Sequence, residues 1–176
     1  MGNLSDLQSA LIRLHKVWLH RLLGWFGVAL GAAIPVLGVS MAIVMAHFKM
    51  QTFHSTDEAS GLMFSFLDMS DFSIPFALAV WWRKKPEVHR RLILVASCAL
   101  TSAAFACFPP SVLPQGFFYV DLDVLILAGA IHDLIVKRHI HRVYLCALPL
   151  FALAQALVMH TCDWPYWMRI GNAILR

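Results

Sequence analysis

The groups in this chain with chemistry to offer are imidazoles and carboxylates set within or beside long apolar runs. His20, His89, His132 and His141 each fall near the basic end of a different run. Imidazoles at one depth on separate helices are what a b-type haem needs, because its iron takes two axial ring nitrogens from facing helices. His20, His89 and His132 are the ligand candidates, with Asp133 placed to orient a histidine or to pair with Arg90 or Arg138. A quinone could use the same imidazole band. His139 and His141, each beside an arginine, read instead as headgroup-facing residues whose polar tips reach water.

The carboxylates form a second set. Asp68 and Asp71 are three residues apart and share one helix face, whereas of Asp121 and Asp123 only one can point in a given direction. If these pairs meet across a bundle they could hold a cation, share a proton, or bind a metal together with His47 or His54. Ionisable groups inside a membrane are costly, so they mark functional sites or stabilising pairs. Asp57 and Glu58 read as an ordinary loop.

These residues need elements to position them. Hydrophobic residues make up 60% of the 176 and charged ones only 14%, against roughly 45–50% and about 25% in ordinary soluble domains. A soluble fold of this size could not cover so much apolar surface. Five apolar stretches approach the roughly 20 residues that a spanning helix requires: about 17–46, 61–82, 92–108, 117–136 and 143–159. They lack the alternation of a barrel strand, and an open sheet cannot exist in lipid, which leaves helices. The expected fold class is all-α, a polytopic membrane bundle forming one domain over 1–176, with the lipid bilayer as its first partner.

Charge sets the expected orientation. Arg13, Lys16, Arg21, Arg83, Lys84, Lys85, Arg90, Arg91, Lys137, Arg138 and Arg142 fall on one side, and only Lys49, Arg169 and Arg176 on the other. The positive-inside rule then puts the N-terminus in the cytoplasm and the C-terminus outside. The net charge of +4 is thus a topology signal and not a nucleic-acid footprint. The first apolar run is too long for a cleavable signal peptide. Residues 1–16, with Leu4, Leu7, Leu11 and Leu14 at helical spacing, are expected as an amphipathic segment on the inner surface.

Gly24, Gly27, Gly31 and Gly38 make a small-residue stripe on the first span, suited to close helix packing against a neighbour, a second copy or another membrane protein. Pro86 suits the first turn of a helix, Pro149 is expected to kink the fifth span, and Trp164-Pro165-Tyr166-Trp167 reads as an interfacial anchor. Cys98 and Cys146 read as packing residues, and Cys107 with Cys162 as a potential disulfide on an oxidising outer side. The chain has no CxxC, HExxH, GxSxG or phosphate-cradling glycine loop, which leaves the common nucleophilic and zinc chemistries without a motif.

Leu19-His20-Arg21-Leu22-Leu23-Gly24, Lys85-Pro86-Glu87-Val88-His89-Arg90-Arg91-Leu92, Asp121-Leu122-Asp123 leading to His132-Asp133, and the late His141 carry a resemblance. Over the run from Leu14 to the C-terminus, the chain resembles an uncharacterised family of bacterial multi-pass membrane proteins. More loosely, its histidine-led helices are similar to those of membrane b-type cytochromes and cytochrome-oxidase assembly proteins. The resemblance implies a bacterial inner-membrane location, with one departure: family members carry another histidine-bearing helix before the first one here, and this chain begins at Met1 about where that helix would end. Together these readings lead to an expected redox accessory binding haem b or quinone near the cytoplasmic face. The alternatives are a scaffold packing through its first helix, and a cation or proton translocator using Asp68, Asp71, Asp121 and Asp123.

Overall fold

An apolar segment in lipid must satisfy its backbone N–H and C=O groups internally, and helices do this within a single segment. The computed structural model describes residues 17–55, 58–105, 108–109, 111 and 118–175, and every regular element among them is a helix. In chain order these are α1 (Val17–Phe53), α2 (Glu58–Trp81), α3 (Pro86–Ala99), α4 (Ser102–Phe105), α5 (Phe118–Lys137), α6 (Arg142–Thr161) and α7 (Pro165–Ile174). The segment 1–16, Asp57 and Cys107 lie outside the described residues, as do the side chains of His20 and Arg21.

Local chemistry sets the ends. Pro86 and Pro165 open α3 and α7 at positions where a missing N–H costs nothing. His54 (φ 52°) and Arg138 (φ 61°) sit in the left-handed region just past the ends of α1 and α5, a conformation that stops a helix. Four helical stretches are long and apolar enough to cross a membrane: Leu22–Phe53, Glu58–Trp81, Pro86–Phe105 and Arg142–Thr161. The fifth expected span, α5, has 20 residues but carries Asp121, Asp123 and Asp133. Its acids spread along most of its length, whereas in α2 Glu58 stands at the very start and only Asp68 and Asp71 lie within the apolar run.

The chain divides after Ile34 into two units. In the first, α1 exposes Trp18, Leu22, Trp25, Phe26 and Leu30. In the second, α2 packs on α3, α6 and α7, while α5 packs on α3, α4 and α6. Leu62, Val95, Leu122 and Ile126 are fully enclosed. Large apolar side chains face outward all round the bundle, among them Ile74, Trp81, Leu127, Ile135, Leu150 and Leu153. Water does not tolerate such a surface over so wide an area, and lipid does. The second unit is embedded in a membrane.

Three differences from the expected spans matter. The third helix starts at Pro86, not Leu92, and breaks at Leu100–Thr101 before one further turn, α4. The first extends to Phe53, seven residues beyond Ala46. The interfacial anchor is a full helix, α7, whose Trp167 Nε1 donates to the Ala59 carbonyl at 2.8 Å, and whose Gly171 sits so close that a Cβ would lie 2.8 Å from Ala59 Cβ.

The glycine stripe is not uniform. Gly38 faces the Met69 side chain, Gly31 is buried, and Gly24 and Gly27 face open space among the described residues. Gly129 of α5 is a further close contact outside the stripe, since a Cβ there would lie 3.1 Å from both Leu94 Cδ2 and Tyr144 Oη. Cys162 is a buried free thiol; its expected partner Cys107 lies outside the described residues.

Candidate functional site

At the basic end of the bundle α3 and α5 are tied by charge. Arg91 is buried, and its Nε donates to Asp133 Oδ2 at 2.5 Å. Its Nη1 donates to Glu87 Oε2 at 2.8 Å and also to the Glu87 carbonyl. Lys137 Nζ donates to the same Glu87 carboxylate, and Arg90 reaches its other oxygen at 2.8 Å. Asp133 therefore pairs with Arg91, not with Arg90 or Arg138. Arg90 is exposed, whereas Arg91, the next residue round the helix, turns into the bundle.

His141 adjoins this network and caps α6: its Nδ1 accepts the Val143 N–H at 3.2 Å. Burial first, and the Arg91 guanidinium second, hold its pKa below the ordinary 6.5, against the opposing pull of Asp133 and Glu87. The cap itself needs the neutral ring, because a protonated Nδ1 cannot accept. The unfolded chain therefore takes up this proton at a higher pH than the folded one does. Stability should fall as pH drops from about 6.5 through the lower folded value. His141→Ser keeps a cap acceptor without the titration. Its melting temperature in detergent should lose less than the parent's between pH 7.5 and 5.5; equal losses in both would refute this.

The proposed haem ligands have unlike surroundings. His89 Nδ1 lies 2.8 Å from the Ala79 carbonyl, so the ring is fixed against α2. His132 is on the exposed face of α5, next to the inward Asp133. The side chain of His20 is outside the described residues. Among the described residues no group of three or more histidines, cysteines or carboxylates could hold a metal ion. His47 is half-buried and His54 exposed.

The carboxylates have a different setting. Asp68 and Asp71 lie near the middle of α2, and Asp71 is only 6% exposed. Asp68 Oδ1, Asp71 Oδ2 and Asp121 Oδ2 are buried and have no hydrogen-bond partner among the described residues. The hydroxyls of Ser102 and Tyr119 lie against the Asp68 carboxylate. Asp71 feels the charge of both Asp68 and Asp123. Gln155, buried on α6, donates from Nε2 to Asp123 Oδ1 at 3.4 Å. Among the described residues, ion pairs lie at Lys49–Glu58 and around Glu87 and Asp133.

Two interruptions of the helical hydrogen-bond ladder flank this cluster. Pro75 has no N–H, so the carbonyl of Asp71, four residues earlier, loses its helical donor. The interruption of α3 at Leu100–Thr101 falls next to Ser102, whose hydroxyl donates to the Ala99 carbonyl at 2.9 Å. Sequence reading found the aspartates but missed Ser102, Tyr119 and Gln155. A glutamine inside the apolar run of α6 was a readable signal; the other two become meaningful only once α3 and α5 are known to meet α2's acidic face. Comparison with protein-family models, curated proteins and solved structures found no match to this chain.

Proposed function

We propose that this chain is a five-span membrane protein, basic ends in the cytoplasm, that binds and moves a positive charge, a proton or a small cation, through Asp71 and Asp68. The observation that carries the reading is the buried Asp71 carboxylate, with an unpartnered oxygen and two carboxylates as its charged neighbours. A buried charge of this kind costs several kcal/mol unless a positive partner joins it. The acids of α5 fit a fifth span, because Asp123 and Asp133 face polar partners inside the bundle and not lipid. The charge asymmetry of the helix ends supports the orientation, and the resemblance to bacterial multi-pass proteins supports an inner-membrane location.

The test is flux. Proteoliposomes holding the full chain should dissipate an imposed proton or alkali-cation gradient, and Asp71→Asn should remove that activity while the protein still reconstitutes. Equal rates in wild type, Asp71→Asn and protein-free vesicles would end the reading.

One observation favours a second reading, a b-type haem protein. With Nδ1 on the Ala79 carbonyl, His89 keeps Nε2 as its ligating nitrogen, the arrangement usual for a metal-bound imidazole. Haem-supplemented protein should then show a Soret band that shifts with dithionite and is lost in His89→Ala. A flat spectrum removes this reading.

A further inference from the structure

The cluster's hydrogens and oxygens do not balance. Around Asp68 and Asp71 stand their four carboxylate oxygens and, through Ser102, the Ala99 carbonyl at the end of α3. The hydrogens facing them are few. The single hydroxyl hydrogen of Ser102 has the Ala99 carbonyl at 2.9 Å and the Asp68 carboxylate as rival acceptors. Tyr119 brings one more to Asp68. Asp71 Oδ2, on a side chain 6% exposed, is left with none among the described residues.

The interruption of α3 adds field to this excess. The carbonyl end of a helix carries the negative pole of its dipole, and α3 ends at Ala99, one element from Ser102. Interrupted helices that turn freed carbonyls toward a mid-membrane site are a known way of replacing an ion's hydration shell. A single proton bridges two oxygens; a dehydrated cation accommodates several.

Charge on the ligands narrows the ion. No three carboxylates, histidines or cysteines among the described residues converge closely enough for a metal. Full charges at the site thus come from Asp68 and Asp71, and the rest of the shell would be neutral oxygens: Ser102 Oγ, Tyr119 Oη and the Ala99 carbonyl. Hard oxygen ligands select a hard cation, and two carboxylates with a few neutral oxygens fall short of the six to eight oxygens of a calcium shell, which favours an alkali ion.

Resting on the reading above, we propose that Asp68, Asp71 and Ser102 form a binding site for a monovalent alkali cation, sodium or potassium, between α2 and the break after α3. Asp123, held by Gln155, adds attraction from α5 without joining the ligand set.

The experiment is a thermal melt of the full chain in detergent at fixed pH. NaCl, KCl or CaCl2 replaces choline chloride at constant ionic strength, and calorimetric titration of NaCl and KCl into alkali-free protein runs alongside. A ligand at about one hundred times its dissociation constant should raise the melting temperature by roughly 5–10 °C. Sodium or potassium should do this saturably, with one site by calorimetry, and Asp71→Asn and Asp68→Asn should lose the shift. The calorimetry needs no variant, so a misfolded mutant does not spare the proposal. A shift with calcium alone overturns the monovalent assignment. No response to any cation, with a pH dependence that disappears in Asp71→Asn, overturns the cation site and leaves a proton site. No response to either overturns both this inference and the reading beneath it.

Discussion

Arg91→Met should destabilise the folded chain by about 3–5 kcal/mol, the usual cost of stranding one partner of a buried ion pair. Methionine fills much of the arginine stem's volume, so the loss would come from charge and not from a cavity. Asp133, 7% exposed, would be left inside the bundle with its main donor gone. Glu87 would fare better, because Lys137 and Arg90 still reach it. The companion variant is therefore informative. Arg91→Met combined with Asp133→Leu removes both charges, and replacing a buried pair by apolar residues is often neutral or stabilising. Reversible unfolding in mixed micelles should show the single variant much weaker than the parent and the double variant close to it. A single-variant loss below about 1 kcal/mol would mean that water or lipid headgroups already solvate Asp133.

The same pair shows what a sequence can and cannot tell. Successive residues of a helix point about 100° apart. In His89-Arg90-Arg91 and in His132-Asp133 the types announce a polar helix end, but nothing in the letters says which member turns inward. The structure turns in Arg91 and Asp133, fixes His89 against α2 and leaves His132 outside. That His89, His132 and His141 stand near helix ends was legible; their rotational phase was not, because phase is set by packing between helices distant in sequence. Spans were legible for the opposite reason. Apolar length is a local property, and the aspartates of α2 share a face by spacing alone. The break in α3 had no marker: Leu100-Thr101 contains neither proline nor glycine. Hydroxyls of Thr101 and Ser102 bond back to the Cys98 and Ala99 carbonyls, offering the backbone an alternative to the helical ladder. Helix α7 was hidden behind its aromatic anchor residues, and its amphipathic face became readable only against Ala59.

Asp71→Asn should have the opposite sign from Arg91→Met. In alkali-free detergent the variant should be more stable than the parent by about 1–3 kcal/mol, the range for relieving an unsatisfied buried polar group. The change preserves shape almost atom for atom, so the packing around this position should persist. It removes a charge that faces Asp68 and Asp123, and it adds an N–H2 next to carboxylate oxygens that lack donors. Few single substitutions in a well-packed core stabilise it. One that does so while removing flux marks a position kept for function at the expense of stability. Adding sodium or potassium should narrow the gap, since the bound cation would stabilise the parent and not the variant. A variant less stable than the parent in alkali-free buffer would mean that Asp71 already has a favourable partner within the fold. The carboxylate would then be a structural residue, and the positive charge it needs would not have to come from outside the protein.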